Sequence, residues 1–239
     1  MPKKAIVTGA TSGIGRALAF KLAEEGYVVG ATGRRAERLA ELTSRYPEQI
    51  IGVPFDIAEV DQITDKLKQI VDMIGGLDLM VANAGIGRRN LELALQPELE
   101  TIAVNITAFV ATVNFAANYF RAHGSGHIVG VSSVAAYWGN KRVPAYNASK
   151  AFEMNYLKAL HSNLHSLGIA VTDIRPGFIR TEMTAGNPRM FWDSTPEKAA
   201  EQIYAAIEKK KRVAYITRRW RYVSWLMRIT PQSLHRYIS

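Results

Sequence analysis

The 239-residue chain contains no cysteine. This absence excludes disulfide bonds, thiolate metal sites, iron–sulfur clusters and a cysteine nucleophile. The sequence also lacks an uninterrupted run of about 18 apolar residues, and its first residues lead directly into a short strand-like segment. We therefore expect neither a membrane-spanning helix nor a secretory leader. Apolar residues make up 48% of the chain, which is too high a share for a disordered protein.

Acidic residues are absent from the last segment, 209–239, which holds nine Lys and Arg residues. The whole chain has 30 basic and 21 acidic residues, so residues 1–208 hold 30 − 9 = 21 basic and 21 acidic residues. The body is therefore neutral, and the net charge of +9 comes entirely from the C-terminal segment. The excess positive charge therefore bears on the binding partners of the C-terminal segment and does not characterise the body.

Short Val- and Ile-rich segments alternate with longer helical patterns along the chain. The segments that read as strands lack polar alternation, which is typical of strands buried on both faces. Strands are predicted at 4–8, 27–32, 50–55, 77–82, 127–132, 169–174 and 212–216, and helices at 14–25, 35–45, 59–74, 97–120, 145–167 and 196–209. This order predicts an α/β fold with one doubly wound parallel sheet of about seven strands and helices on both faces. We expect one domain over residues 1–216, followed by a basic amphipathic tail over 217–239.

A glycine-rich loop, Thr8-Gly-Ala-Thr-Ser-Gly-Ile-Gly15, separates the first predicted strand from the first predicted helix. Its glycines allow a tight turn and a close approach of the backbone to a phosphate, and the helix points its N-terminal N–H groups at the anion. Tight turns also use glycine, so the strand–loop–helix context carries the interpretation. The residues predicted to bind a dinucleotide here are Gly9, Thr11, Ser12, Gly13, Ile14 and Gly15.

The end of the second predicted strand indicates which dinucleotide is bound. A site for NAD needs a carboxylate there, whereas this sequence has Gly33 followed by Arg34 and Arg35. Arginine pairs with a 2′-phosphate, so the sequence predicts NADP(H). Alternatively, the two arginines are only the solvated start of a charged helix, although cations oppose the dipole at that end. After the third strand, Asp56 and Ile57 are placed to meet the adenine ring, and Asp56 is also a candidate helix cap.

Two residues that suit acid–base chemistry, Tyr146 and Lys150, lie four apart at the start of a predicted helix. Residues at this spacing share one helix face. An ammonium group stabilises a phenolate, so Tyr146 is a candidate general acid or base. Taken alone, the spacing is also typical of a surface pair. Ser133 ends a predicted strand 13 residues earlier, and Asn105 lies in the long predicted helix before it.

Together these motifs resemble the short-chain dehydrogenase/reductase superfamily, in its short single-domain branch. The resemblance covers residues 3–216 and rests on the glycine loop, Asn83-Ala-Gly85, Asn105, Ser132-Ser133, Tyr146 with Lys150, and Pro176-Gly-Phe-Ile-Arg-Thr181. One departure is Ala82, where the family usually has a second asparagine. The resemblance implies a Rossmann-type sheet and hydride transfer between a nicotinamide cofactor and a carbonyl or alcohol group.

The resemblance also implies a role for each matched residue. Tyr146 is expected to protonate the carbonyl oxygen, or to act as the base in oxidation, and Ser133 to hydrogen-bond the same oxygen. Lys150 is expected to bind the nicotinamide ribose, and Asn105 to hold a water molecule that joins Lys150 to solvent. The other residues expected along the cofactor are Asn83, Ala84, Gly85, Pro176, Gly177, Ile179 and Thr181.

The substrate side is expected to be apolar. The resemblance implies a lid over residues 178–195, and Tyr137 and Trp138 are expected to face the same cleft. The apolar side chains of this lid are Met183, Met190, Phe191 and Trp192. Such a pocket suits a hydrophobic or lipid-like ketone or aldehyde, although ordinary packing of the lid on the body explains the same residues.

The tail has the pattern of an amphipathic helix. Apolar residues fill most of segment 222–229, while Arg221, Ser224 and Arg228 form a narrow polar stripe and Pro231 interrupts the helix. This pattern suits the surface of a membrane, a helix that docks on another subunit or on the protein's own lid, or a solvated tail. No base-reading module accompanies the basic residues, so we expect no nucleic acid partner.

The sequence therefore predicts a cytoplasmic NADP(H)-dependent oxidoreductase that forms a homo-oligomer and contacts a membrane peripherally through 217–239. The alternative is a non-catalytic NADP(H)-binding regulatory protein that keeps the fold. No metal site is expected, because His161 and His165 share a helix face without a third ligand and read as a solvated face.

Overall fold

A computed structural model describes residues 1–185 and 190–230. In these ranges seven strands are found: β1 (Lys4–Val7), β2 (Val28–Gly33), β3 (Ile50–Pro54), β4 (Leu79–Ala82), β5 (Gly126–Val131), β6 (Ile169–Pro176) and β7 (Val213–Ile216). The α-helices are α1 (Gly13–Glu24), α2 (Ala36–Arg45), α3 (Val60–Ile74), α4 (Leu95–Ile102), α5 (Phe109–His123), α6 (Pro144–Leu164), α7 (Pro196–Glu208) and α8 (Trp220–Ile229). All strands are parallel, in the order β3-β2-β1-β4-β5-β6-β7. The predicted doubly wound sheet is confirmed.

Helices cover both faces of this sheet. On one face α1 and α7 bury Leu18 and Ile203 in a cluster that also includes side chains of α2. On the other face α5 and α6 bury Phe120 and Leu157, together with side chains of α3. Because both faces are covered, the strands show continuous apolar runs rather than alternation.

Helix α6 carries the two residues that suit acid–base chemistry, and it lies close against β5. A Cβ atom added to Gly130 of β5 would lie 2.5 Å from Cδ1 of Leu157 on α6, so only glycine permits this approach. Pro144 begins the helix at a position where proline costs no hydrogen bond. The first two turns of α6 therefore present Tyr146 and Lys150 beside the end of β5.

The long helix predicted before β5 is continuous from Leu95 to His123 but contains a π-helical turn, Ala103–Ala108, which the sequence analysis did not predict. Asn105 lies in this turn, and π-helical turns are frequent at functional sites. By length and composition alone this helix could cross a membrane. Its apolar side chains, including Val113 and Phe120, instead pack against the sheet. It is therefore a core helix of the fold.

Helix α8 packs on the body through Trp220 and Ser224, which are both buried. It contacts the 3-10 turn that follows β5, Val134–Tyr137. Next to this turn, the indole N–H of Trp138 donates a hydrogen bond to the main-chain oxygen of Met227 at 3.1 Å. The start of the tail is therefore attached to the body near the end of β5.

The polar stripe predicted for this helix is wrong at Ser224, which is fully buried against the body. Its small side chain lets the helix approach closely. Arg221 is exposed as expected, while the side chain of Arg228 and Pro231 lie outside the described residues. The outward face of α8 carries exposed apolar side chains: Tyr222, Trp225, Leu226 and Ile229.

A buried histidine on β5 links the stability of this fold to pH. His127 is 6% exposed, and its Nε2 lies 2.8 Å from Oγ1 of Thr172. Burial lowers the pKa of His127 to about 4, and the positive charges of Lys210 and Lys3 act in the same direction. In the unfolded chain the histidine pKa returns to about 6.5. The folded state thus holds fewer protons than the unfolded state between these two values.

We predict that the free energy of unfolding falls as the pH decreases from about 6.5 to about 4, because only the unfolded chain protonates His127 in that range. The contribution reaches about 3 kcal/mol at the lower end. His127→Gln keeps a partner for Thr172 and should flatten this dependence. Urea unfolding of both proteins at several pH values measures it, and parallel curves would contradict the prediction.

Candidate active site

The carboxyl ends of β1 to β6 enclose a cavity of about 520 Å³ at one edge of the sheet. Strand order reverses there between β1 and β4, which is where ligands bind in open α/β sheets. Nearly all the predicted site residues line this cavity: Gly9, Thr11, Ser12, Gly13, Ile14, Gly15, Arg34, Arg35, Asp56, Ile57, Asn83, Ala84, Gly85, Ser133, Tyr146, Lys150, Pro176, Gly177, Ile179 and Thr181. The exception is Asn105, which is fully buried behind the lining.

The glycine loop after β1 is packed tightly against the loop after β4. A Cβ atom at Gly15 would lie 2.3 Å from the oxygen of Gly9 and 2.4 Å from Nδ2 of Asn83. Asn83 donates from Nδ2 to the oxygen of Thr8 at 2.9 Å, and its main-chain N–H donates to Oγ1 of Thr8 at 3.0 Å. Helix α1 begins at Gly13, and the first residues of the helix line the cavity. This cradle fits a diphosphate group.

Two arginines reach the cavity from the end of β2. Nη1 of Arg35 lies 2.8 Å from the carboxylate of Glu182, and its Nε and Nη2 donate to Oγ1 of Thr11 at 3.4 and 3.3 Å. Nη1 of Arg34 lies 3.7 Å from Oδ2 of Asp56. Glu182 was not among the predicted site residues, although an acidic residue in the segment expected to form the lid was a visible signal for a partner of these arginines.

The candidate catalytic residues converge at the other end of the cavity. Tyr146 is half-buried, and Nζ of Lys150 lies 5.9 Å from the centre of its ring. Ser132 and Ser133 both line the cavity. The Ser133 hydroxyl accepts from the main-chain N–H of Ala135 at 3.1 Å and donates to the oxygen of Pro176 at 3.4 Å. The hydroxyl of Ser132 instead donates to Oδ1 of Asp173 at 2.5 Å, so it is engaged within the sheet. The choice of Ser133 over Ser132 for contact with a substrate therefore stays a prediction.

Asn105 holds the loop after β4 against α6. Its Oδ1 accepts a hydrogen bond from the main-chain N–H of Ile86 at 2.8 Å, and its Nδ2 donates to the oxygen of Ile86 and to Oγ of Ser149, both at 2.9 Å. The π-helical turn places the amide at this junction. The expected water molecule between Asn105 and Lys150 stays a prediction.

Two buried ion pairs beneath the cavity were missed by the sequence analysis. Nζ of Lys150 donates to both carboxylate oxygens of Glu153, at 2.8 and 2.9 Å. Nε of Arg175 donates to Oδ2 of Asp173 at 2.6 Å. Burial raises the pKa of Glu153 to about 7 and raises the pKa of Asp173, while the neighbouring cations oppose both effects. The available signal was an acid three residues after Lys150 on the same helix.

The aromatic residues after β5 do not line the cavity, which differs from the expectation for the substrate side. The hydroxyl oxygen of Tyr137 lies 2.9 Å from that of Tyr215 and accepts a hydrogen bond from Arg175 at 2.6 Å. Trp138 is bonded to α8. Both side chains therefore fix the loop and the tail helix in place, because their polar atoms have partners on neighbouring elements.

The segment expected to form the lid contacts α8. Met183 lines the cavity, whereas the rings of Phe178 and Phe191 pack on Trp220 with ring centres 5.4 and 5.0 Å away. Trp192 is about half exposed. The indole of Trp220 also fills the space next to Gly177, where a Cβ atom would lie 2.1 Å from Nε1. Residues 186–189 of the predicted lid lie outside the described residues.

The geometry agrees with a known family. A family model of the short chain dehydrogenases matches residues 3–190. The chain belongs to the short-chain dehydrogenase family. It is therefore an oxidoreductase with a nicotinamide cofactor that acts on a small molecule.

Relatives and solved structures support this membership. An uncharacterized oxidoreductase of Myxococcus xanthus is 38% identical over 192 residues, which cover 77% of this chain and 75% of the relative. A 3-oxoacyl-(acyl-carrier-protein) reductase of Aquifex aeolicus is 34% identical over 208 residues, which cover 84% of this chain and 82% of that relative. A short chain dehydrogenase of Burkholderia cenocepacia, solved in complex with NADP, is similar with a TM-score of 0.81 and 27% identity, covering 89% of this chain and 94% of that chain.

Proposed function

We propose that this protein is an NADP(H)-dependent carbonyl reductase that interconverts a hydrophobic, lipid-like ketone or aldehyde and the corresponding alcohol. The convergence of Tyr146, Ser133 and Lys150 in the dinucleotide cavity carries this proposal. The reductase of Aquifex aeolicus, which acts on an acyl chain by its name, supports a substrate of this class. A regulatory protein that only binds NADP(H) would have no use for this set of side chains.

Each side chain of the set has a separate task in the proposed reaction. The nicotinamide cofactor, when bound, supplies the hydride for the carbonyl carbon and accepts it in the reverse direction. Tyr146 transfers its hydroxyl proton to the carbonyl oxygen, or takes that proton back during oxidation. Ser133 donates a hydrogen bond to the same oxygen. Lys150 binds the nicotinamide ribose and stabilises the phenolate that proton transfer leaves on Tyr146.

We predict that Tyr146→Phe loses more than nine-tenths of the turnover rate but binds NADPH nearly as tightly as the unmodified protein. The ring still packs, while the proton donor is gone. A loss of less than about tenfold, or about 1.4 kcal/mol, would show that Tyr146 is not the acid. The matched control is Tyr46→Phe, because the Tyr46 hydroxyl contacts Glu24 at 3.0 Å, outside the residues that line the cavity. Steady-state rates and NADPH titrations of the three proteins make the comparison.

The preference for NADP(H) over NAD(H) is proposed from the end of β2. Arg34 and Arg35 bring two positive charges to the cavity. A carboxylate at the last position of β2, Gly33, is sterically disfavoured, since a Cβ atom there would lie 2.6 Å from Cγ2 of Thr11. Glu182 holds Arg35 in place, and a 2′-phosphate would compete with it for the guanidinium.

We predict that replacing both Arg34 and Arg35 by alanine raises the KM for NADPH at least tenfold and leaves the KM for NADH nearly unchanged, because only NADPH carries the 2′-phosphate. Arg38→Ala is the matched control, since Arg38 lies on α2, three residues after Arg35, and pairs at the surface with Glu41, at 3.8 Å. Equal kinetics with the two cofactors in the unmodified protein would refute the assignment.

A homo-oligomer in the cytoplasm is part of the same proposal. Helix α4 exposes Leu95, Leu99 and Ile102, which lie on one helix face at spacings of four and three residues. An exposed apolar stripe of this kind is typical of a contact between subunits. We assign the catalytic unit to residues 1–216. The tail, 217–239, is assigned a separate role in docking.

Peripheral contact with an anionic membrane is proposed for the tail. The outward face of α8 presents four exposed apolar side chains, and the segment 209–239 contains no acidic residue. A second cavity of about 610 Å³ lies at the base of this helix. Its charged lining residues are Arg180, Asp193, Lys198, Arg218 and Arg219. Apolar burial and cationic charge together favour the interface of an anionic bilayer. Trp220 joins α8 to the segment expected to form the lid. A lipophilic substrate could therefore enter the cavity from the membrane surface that α8 contacts.

We predict that the full chain sediments with vesicles that contain phosphatidylglycerol, and that binding falls with added salt because charge attraction is screened over a Debye length. The double variant Trp225→Ser with Leu226→Ser should bind at least about tenfold more weakly, through lost apolar burial. Leu167→Ser is the control, since Leu167 is exposed in the 3-10 turn that follows α6. A chain that stays in the supernatant at low salt would favour docking on another subunit instead.

A further inference from the structure

A carboxylate lies directly beneath the candidate catalytic pair. Glu153 is three residues after Lys150 on α6, is 1% exposed, and accepts hydrogen bonds through both oxygens from Nζ of Lys150 at 2.8 and 2.9 Å. The remaining hydrogen bond of Nζ goes to the oxygen of Val131 at 3.0 Å. A lysine ammonium has three donors, so Nζ must give up one of these contacts to bind the proposed nicotinamide ribose. Within the described residues, Glu153 is the acid that pairs with Lys150.

The other charged groups around Glu153 come from β6. Asp173 faces it and raises its pKa, but the charge of Asp173 is held by Arg175 and by the hydroxyl of Ser132. Burial is the larger cause and, against the attraction of Lys150, brings the pKa of Glu153 to about 7. The charge on this carboxylate therefore changes within the ordinary working range of pH.

Stability alone gives little reason for an acid at this position. Burying two charges costs desolvation, and apolar side chains of similar volume usually stabilise a core at least as well as a buried ion pair. The structure places one member of this pair against the candidate acid, since Nζ of Lys150 lies 5.9 Å from the centre of the Tyr146 ring. When Glu153 is ionised, the pair is neutral overall and stabilises a phenolate less than an unpaired ammonium does.

The geometry points to Glu153 as a positioning residue that sets the charge presented by Lys150 to Tyr146 and keeps Tyr146 in its neutral, proton-donating form at and above neutral pH. This inference rests on the proposed function, in which Tyr146 is the acid or base. The equilibrium of the reaction is unchanged. Carbonyl reduction, which needs the phenol, is favoured near neutral pH, while alcohol oxidation, which needs the phenolate, is displaced to higher pH.

The test is the pH profile of kcat/KM for alcohol oxidation by the full chain with NADP⁺, measured from about pH 6 to about pH 10. The acidic limb of this profile is the range in which kcat/KM rises with pH. Glu153→Gln and Glu153→Met both remove the charge of Glu153 and should move this limb to lower pH by about one pH unit. The pH at which carbonyl reduction loses rate should fall by the same amount, because one group serves both directions and the equilibrium at a given pH is fixed. Glu153→Asp keeps a carboxylate and should stay near the original profile. Glu208→Gln removes an acid that pairs with Lys3, outside the residues that line the cavity, and is the matched control.

The unmodified protein provides a further readout that needs no variant. If Glu153 sets the charge that Lys150 presents to Tyr146, the acidic limb of the unmodified protein should be shallower than that of a single proton, whereas the limb of Glu153→Gln should be steeper. An unmoved limb in folded, active Gln and Met variants, or a single-proton limb in the unmodified protein, would overturn the inference and leave the proposed function standing. Absence of any turnover in the unmodified protein would instead contradict the proposed function.

Discussion

The reversal of strand order between β1 and β4 is the constraint on which the rest of the molecule depends. The chain builds β1, β2 and β3 outward in one direction and then returns to continue from β4 on the other side of β1. The helices that follow β1 and β4 consequently lie on opposite faces of the sheet, which leaves a crevice between the loops at its carboxyl edge. Close contact of the two loops through Gly15 and Asn83 shapes the floor of this crevice.

Because every strand is parallel, residues far apart in the sequence are delivered to this same edge. Gly9 follows β1, Arg34 follows β2, Ser133 follows β5 and Pro176 ends β6, yet all of them line one cavity. The cavity has positively charged side chains at two places, Arg34 with Arg35 at one and Lys150 at the other. Each cation there has an acidic partner, which orients it while leaving it within reach of an anionic or polar group of the ligand.

The sequence predicted what depends on local pattern. Apolar runs located every strand within a few residues, and the motif that joins Gly9 to Gly15 located the nucleotide-binding end, because these signals are contiguous in the chain. What was missed depends on contacts between distant elements. Ser224 turned out to face the body because Trp220 packs on Gly177 and the lid, and no helical periodicity contains that contact. The spacing of Glu153 from Lys150 was visible in the sequence, but its burial, which makes the pair significant, becomes visible only when α6 lies on the sheet.

The central claim is that the cavity at the strand-order reversal holds NADPH and reduces a carbonyl group. The most direct measurement is a screen of hydrophobic ketones, aldehydes and acyl thioesters with the full chain, following the consumption of NADPH. The account predicts consumption of NADPH with at least one long-chain or aromatic carbonyl compound, and none when the carbonyl compound is replaced by buffer. Tight binding of NADPH without its consumption by any compound in the panel would contradict the account and favour a non-catalytic NADP(H)-binding regulatory protein.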